Sequence, residues 1–123
     1  MKLGKESIIQ IQVVEYCRQN HPGLPLYHVP MEGRRSFANA QILKHMGMVA
    51  GFADLFFPRG NKQFKGLFIE LKAEGGRLTP AQSKFLYSML NEGYEACCCE
   101  GSESAIEVIK KFYGFTDMTT NVV

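Results

Sequence analysis

The segment at residues 67–72, with the sequence LFIELK, constrains the fold of this chain more than any other. Its residues favour a β-strand, in which successive side chains point to opposite faces. One face would be wholly aliphatic, whereas the other would combine Phe68 with Glu70 and Lys72. An acid and an ammonium group on an otherwise apolar strand form either an ion pair on a half-exposed surface or part of a functional site.

A second apolar strand, predicted at residues 54–57, begins with an acidic residue, Asp54. A basic hairpin loop at 58–66 joins it to the strand at 67–72. The two strands are therefore expected to be antiparallel neighbours, with Asp54 close to Glu70. Two carboxylates at short distance repel each other, and a divalent cation removes that repulsion. Hard cations such as Mg²⁺ take oxygen ligands and retain waters for substrate phosphates. The pair therefore predicts a cation site, unless Asp54 merely caps a turn.

The first helix, predicted at residues 5–20, carries an acid on its apolar side. With about 100° per residue, Glu6 and Gln10 fall within the stripe formed by Ile9, Val13 and Cys17. An acid on this face near the helix start either interacts favourably with the helix dipole or belongs to a site.

The whole pattern predicts one α/β domain with a central mixed β-sheet flanked by helices on both sides. The predicted elements are helix 5–20, strand 25–30, helix 37–46, strand 54–57, strand 67–73, helix 80–91, strand 94–99 and helix 103–113. Their order is α-β-α-β-β-α-β-α. The domain is expected at residues 1–115, followed by a tail at 116–123; the pattern is lost from Gly114 onward, so this end is expected to be loose or bound to a partner.

Composition and charge exclude some classes of protein and favour others. The chain has 123 residues and no apolar run of the roughly 20 residues needed to cross a bilayer, so we expect a cytoplasmic protein without a membrane segment. Net charge is only +2, but residues 34–84 contain nine basic and three acidic residues, while residues 85–123 contain two basic and six acidic residues. A polyanion would be attracted to the middle segment, although chance clustering on a solvated surface explains it equally well.

Four segments, in this order, resemble the VRR-NUC domain of the PD-(D/E)XK nuclease superfamily, which has the restriction-endonuclease-like fold. They are Glu6-x-x-x-Gln10, Gly51-x-x-Asp54-Leu55, Ile69-Glu70-Leu71-Lys72 and Gly76-Arg77-Leu78-Thr79-Pro80-x-Gln82. The resemblance runs from about residue 5 to residue 113. Two positions depart from the family pattern: Ala53 stands where proline is usual, and residues 30–35 lack the asparagine that is common in that turn.

The resemblance implies a nuclease that depends on Mg²⁺ or Mn²⁺ and hydrolyses phosphodiester bonds in DNA. Asp54 and Glu70 would bind the metal, with the Leu71 carbonyl as a further ligand. Glu6 would complete the acidic cluster, directly or through water. Lys72 would orient or activate the attacking water and stabilise charge on the phosphate, while the metal polarises the phosphate.

Further residues are assigned supporting roles on the same basis. Gln10 and Gln82 would hold the metal ligands in place. For Gln82 a capping box with Thr79, at the start of the helix at 80–91, is an equally good explanation. Candidates for contacts to backbone phosphates are Arg34, Arg35 and Lys44. The three histidines are scattered and none stands at metal-ligand spacing, so no catalytic histidine is predicted.

The chain lacks a zinc finger or a clear helix-turn-helix, which favours recognition of DNA shape over DNA sequence. Stand-alone family members resemble Holliday-junction resolvases, which implies a homodimer that cuts branched DNA, most simply a four-way junction, in bacterial cytoplasm or a phage-infected host. Apolar residues that would suit a dimer interface, or equally the core, are Phe37, Ile42, Leu43 and Met46. The alternatives are a restriction- or repair-type endonuclease on linear or flap DNA, and a catalytically idle DNA-binding domain.

Overall fold

The computed structural model describes residues 3–30 and 37–117, and within these ranges the chain forms four helices and three strands. These are α1 Lys5–Asn20, α2 Phe37–His45, β1 Leu55–Phe57, β2 Leu67–Lys72, α3 Pro80–Asn91, β3 Glu95–Glu100 and α4 Ser102–Tyr113. None of the helices in this part of the chain is both long and apolar enough to cross a membrane. The bounds differ from the sequence-based prediction by one residue at most, apart from the strand at 25–30.

The three strands form one mixed sheet with β2 at its centre. β1 pairs with β2 in antiparallel orientation, with Leu55 opposite Ile69, and β3 pairs with β2 in parallel orientation, with Leu67 opposite Glu95. The parallel connection runs through α3, as a βαβ crossover requires. All six residues of β2 are buried, which accounts for its nearly continuous apolar sequence.

Helices cover both faces of this sheet, so the predicted architecture is confirmed. On one face, Ile69 packs in a core cluster with Val13 of α1 and Ile106 of α4. On the other face, Phe68 packs with Phe85 of α3 in a second, aromatic-rich cluster. The alternation of side chains along β2 thus divides its residues between the two layers.

The strand predicted at residues 25–30 is reduced to a single antiparallel bridge. Tyr27 donates its N–H to the Phe56 carbonyl at 2.9 Å and accepts from the Phe56 N–H at 2.8 Å. Pro25 and Pro30 flank this bridge and lack the N–H groups that a longer ladder needs. The segment therefore lies along the outer edge of β1, where a strand was expected, but it is attached there at one point.

The chain beyond α4 is also more ordered than its sequence suggested, as far as it is described. Phe115 stacks on His21 with the ring centroids 3.5 Å apart. Asp117 accepts hydrogen bonds from Tyr16 Oη at 2.7 Å and from His21 Nε2 at 2.8 Å. The expectation of a loose segment after Gly114 is therefore wrong for residues 115–117, because Asp117 bonds to Tyr16 of α1 and to His21, the residue that follows α1. Residues 118–123 lie outside the described part of the chain.

Candidate active site

Asp54 and Glu70 lie side by side at one end of the β1–β2 hairpin. The antiparallel register pairs Leu55 with Ile69, and its continuation by one residue brings Asp54 opposite Glu70. Asp54 precedes β1 directly, where the chain enters the sheet after Gly51. The observed pairing of β1 with β2 therefore brings Asp54 close to Glu70, as the sequence predicted.

Glu70 is almost completely enclosed, with 3% of its surface exposed. Its Oε2 atom accepts a hydrogen bond from Gln82 Nε2 at 3.1 Å and lies 3.9 Å from Lys72 Nζ. Its Oε1 atom is buried and has no hydrogen-bond partner among the described residues. Lys72 is also buried, at 7% exposure. The alternative of a surface ion pair on a half-exposed strand is therefore wrong.

Asp54 is held from two directions. Its carboxylate Oδ2 accepts the N–H of Leu71 at 2.7 Å, which ties the side chain to β2. Its backbone carbonyl accepts from His28 Nδ1 at 2.6 Å, which ties the main chain to the segment on the outer edge of β1. The carboxylate is thereby directed toward Glu70 although Asp54 itself lies just outside the strand.

Glu6 reaches the same place from the first turn of α1. Its Oε2 atom accepts a long hydrogen bond, 3.4 Å, from the N–H of Ala73, directly after β2. The helical wheel therefore placed Glu6 on the face of α1 that contacts β2, but the side chain is exposed, like all of residues 3–8. Gln10, one turn later on the same face, is half-buried and lines the pocket that Glu6 borders.

These side chains surround an open pocket of about 240 Å³ between α1, the start of α3 and the end of the hairpin. Its lining consists of Glu6, Ser7, Gln10, His28, Val29, Gly51, Phe52, Asp54, Glu70 and Gln82. Three of the ten residues are acids, so the pocket combines negative charge with access from solvent.

Glu70 has a strongly perturbed proton affinity. Desolvation by burial is the largest cause, and the neighbouring Asp54 charge adds to it, so that the pKa of the Glu70 carboxyl is raised to about 8. The charge of Glu6 acts in the same direction, whereas that of Lys72 opposes it. The charge of Lys72 therefore does not outweigh the burial of Glu70 and its acidic neighbours, and a bound cation would lower this pKa further.

This pKa makes the stability of the metal-free protein depend on pH. Because the folded-state value of about 8 lies above the ordinary value of 4.5, the contribution of Glu70 to stability is complete below pH 4.5 and is lost as the pH rises through 8. We expect the melting temperature in EDTA to fall between about pH 5 and 8, and Mg²⁺ or Mn²⁺ to restore most of the loss. A melting temperature that rises over this range without metal would contradict the assignment.

The donor set suits a hard divalent cation. An unpartnered buried carboxylate oxygen is costly, and a cation beside Glu70 Oε1 would remove that cost. Among the described residues, no group of three acidic, histidine or cysteine side chains already converges closely enough to hold a metal ion. A cation held mainly by Asp54 and Glu70 would therefore retain water ligands, which is the usual coordination of Mg²⁺ in proteins.

Gln82 makes contacts that are compatible with both of the explanations between which the sequence did not decide. Its Oε1 accepts the Thr79 N–H at 2.9 Å, and its own N–H donates to Thr79 Oγ1 at 3.1 Å, which completes the capping box of α3. Its Nε2 is directed the other way and donates to Glu70. The two explanations are compatible because the oxygen and the nitrogen of one amide bind different partners.

Of the three candidates for DNA contact, only Lys44 lies within the described part of the chain. Arg34 and Arg35 lie outside the described part of the chain. Lys44 is exposed on α2 and is absent from the pocket lining. Leu71 has a buried side chain and is fixed through its N–H, while the use of its carbonyl as a ligand stays a prediction.

Five residues that line the pocket were not predicted as site residues, and two of them, His28 and Gly51, make close contacts with neighbouring backbone. His28 was placed in a strand and given no role, because its partner, the Asp54 carbonyl, is 26 residues away in the chain. Gly51 was noted only as part of a motif, yet it has φ +82° and lies against the backbone of Ala81 at the start of α3. A positive φ cannot be inferred from one glycine. The position of Gly51, three residues before Asp54, could nevertheless have indicated that it lies near the site.

Comparisons with known proteins agree with this geometry. A family model described as the VRR-NUC domain matches residues 10–103, a range that includes Asp54, Glu70 and Lys72 but begins after Glu6. A solved structure titled "VRR_NUC domain protein" is similar to the chain with a TM-score of 0.77 and 29% identity, over 100% of this chain and 99% of that one. None of the curated proteins matches the chain.

Proposed function

Because the chain belongs to the VRR-NUC domain family, whose members are nuclease-type domains, we propose that it is a divalent-metal-dependent DNA endonuclease with its active site at Asp54 and Glu70. The observation that carries the proposal is the buried Glu70 carboxyl, which faces Asp54 with one oxygen unpartnered among the described residues. Two carboxyls this close together repel each other when both are ionised, and a divalent cation bound between them would remove that repulsion.

Asp54 and Glu70 are the proposed ligands of Mg²⁺ or Mn²⁺, with Glu6 and the Leu71 carbonyl as further candidates. When bound, the ion supplies Lewis-acid polarisation of the scissile phosphate and lowers the pKa of water. The Leu71 N–H orients Asp54, and Gln82 Nε2 orients Glu70, so both ligands are held before metal arrives.

Lys72 is proposed to orient or activate the attacking water and to stabilise charge on the phosphate. Its Nζ atom lies on the same face of β2 as Glu70, 3.9 Å from Oε2, in a nearly buried position. An ammonium group there donates hydrogen bonds to a phosphate oxygen or a water, and it offsets the negative charge that accumulates during hydrolysis.

The proposed substrate is branched DNA, and the proposed active form is a homodimer. A single domain with one pocket needs a second copy to cut two symmetric strands of a four-way junction. The exposed apolar side chains on and after α2 support an interface there, since Ile42 is 56% exposed, Met46 77% and Val49 56%. The other interface candidates are Leu43, which is half-buried, and Phe37, whose side chain is not described.

The test is cleavage of labelled four-way junctions, flaps and linear duplexes in Mg²⁺ or Mn²⁺. We expect the wild-type chain to cut junctions at least about 10-fold faster than duplexes, because a dimer engages both symmetric strands. Asp54→Ala and Lys72→Ala should lose cleavage of every substrate. Lys111→Ala, which removes an exposed lysine of α4, serves as the matched control and should cut normally.

Each other outcome has a defined meaning. Equal cutting of all three substrates would reject the junction preference in favour of a restriction- or repair-type endonuclease. Normal cleavage by the Asp54 or Lys72 variant would reject the proposed active site. Salt-sensitive DNA binding without any metal-dependent cleavage would instead identify an idle DNA-binding domain.

A further inference from the structure

His28 contacts the main chain of a proposed metal ligand, and no role in the mechanism has yet been assigned to it. Its Nδ1 atom lies 2.6 Å from the carbonyl oxygen of Asp54, a short distance for this kind of hydrogen bond. A carbonyl oxygen only accepts, so Nδ1 carries the proton and donates. The donation is available to the ring in its neutral and in its protonated state.

The position of His28 is itself fixed by the sheet. The preceding residue, Tyr27, exchanges two backbone hydrogen bonds with Phe56 in the middle of β1. This bridge places the His28 ring beside the point where the chain enters β1. It also places His28 in the lining of the pocket that contains Asp54 and Glu70.

Asp54 needs such support because it lies outside the paired strands. The last pair of the β1–β2 ladder is Leu55 with Ile69, so the carbonyl of Asp54 is beyond the regular hydrogen bonds of the sheet. The carboxylate is anchored by the Leu71 N–H, and the register of the hairpin places it beside Glu70. A hydrogen bond to the carbonyl opposes rotation of the peptide away from Glu70.

We infer that His28 is a positioning residue for the metal site, which holds Asp54 in ligand geometry through the Nδ1–H donation to its backbone carbonyl. The inference rests on the metal site proposed above and adds a residue to it. Removal of a group that orients a metal ligand from outside typically costs about 10- to 100-fold in metal affinity or activity. Because His28 acts on the backbone of Asp54 and not on a proposed reacting atom, we expect the effect here on metal affinity.

The test compares two amides that differ by one methylene group. The amide nitrogen of Asn takes the place of Nδ1, whereas that of Gln takes the place of Nε2. Binding of Mn²⁺ to the full chain without DNA is measured by isothermal titration calorimetry, with melting temperatures in EDTA as the folding control. We expect H28Q to weaken Mn²⁺ binding by about 10-fold or more, and H28N to stay within about threefold of wild type.

Cleavage supplies an independent readout. H28Q should need more Mn²⁺ for half-maximal cleavage but should approach the wild-type rate at saturating Mn²⁺. If H28Q does not fold, His28→Ala replaces it, since a half-exposed side chain at the sheet edge tolerates truncation. Equal Mn²⁺ affinity of wild type and H28Q (or His28→Ala), or a lower saturated rate with unchanged affinity, would overturn the inference.

The result also separates this inference from the proposed nuclease function. If the wild-type chain binds Mn²⁺ in a His28-dependent manner but cuts no DNA, the nuclease proposal fails and the role of His28 stands. If the wild-type chain cuts DNA and H28Q binds Mn²⁺ normally, only the role of His28 fails. A wild-type chain that binds no Mn²⁺ overturns both.

Discussion

Replacing Glu70 by Gln is expected to lower the rate of the proposed metal-dependent cleavage by at least about 1,000-fold, because the loss of a proposed metal ligand would forfeit several kcal/mol of transition-state stabilisation. The same substitution should make the metal-free protein more stable at alkaline pH. The wild-type carboxyl, with its pKa raised to about 8 by burial and by Asp54, must ionise there without a cation. The neutral amide keeps an oxygen to accept from Gln82 and carries no charge.

The measurement combines a cleavage assay with melting curves in EDTA. Near pH 9 the Glu70→Gln variant should melt higher than wild type by about 3 °C or more, whereas near pH 5 the difference should be small. Glu92→Gln, the same change at an exposed carboxylate, is the control and should alter neither activity nor the pH dependence. A Glu70 variant that cuts DNA normally, or that retains the decline of stability with pH, would contradict the assignment.

Replacing Gly51 by Ala is expected to destabilise the fold by at least about 3 kcal/mol, the sum of left-handed backbone strain and backbone overlap. Gly51 has φ +82°, and an added Cβ would lie 2.4 Å from the carbonyl carbon and oxygen of Ala81. These are backbone atoms at the start of α3, so the overlap is relieved only if the helix moves. That movement would carry Gln82 away from Glu70, and cleavage should fall together with stability.

The chain contains a matched control for this substitution. Gly75 has nearly the same backbone conformation, φ +79°, but a Cβ added there would meet nothing within 4 Å. Gly75→Ala therefore reports the conformational strain alone, about 1 kcal/mol, and Gly51→Ala the strain plus the overlap. Urea unfolding of both variants gives the difference in the free energy of unfolding. Equal losses would show that the contact with α3 does not limit this position.

The central part of the candidate site was predictable because it is determined by patterns among residues that are close together in the sequence. Side-chain alternation assigned Glu70 and Lys72 to one face of β2, and a hairpin connection implied that Asp54 lies beside them. The capping box at Thr79 and Gln82 follows from four consecutive residues. The helical wheel gave the face of α1 on which Glu6 lies, and the layered architecture follows from the order of the elements.

The features that could not be predicted depend on contacts between residues that are far apart in the sequence. A single-residue bridge at Tyr27 is too short to leave a pattern, yet it determines where His28 lies. The burial of Lys72 depends on how the rest of the chain packs around β2, since an isolated strand has no buried face. The attachment of Asp117 to Tyr16 joins residues 101 positions apart, which no local pattern encodes.

The amide of Gln82 has a consequence for how this sequence can vary. As a helix cap the position accepts glutamate as readily as glutamine, because only the side-chain oxygen is used. As a donor to Glu70 it needs a nitrogen, and a glutamate would add a further negative charge beside a carboxyl that already resists ionisation. Asparagine would supply both atoms but would be one methylene too short to span the two partners. Position 82 must therefore supply both an oxygen for the Thr79 N–H and a nitrogen for Glu70, and fewer residues meet both requirements than either one alone. We expect this position to change more slowly in evolution than an ordinary helix cap.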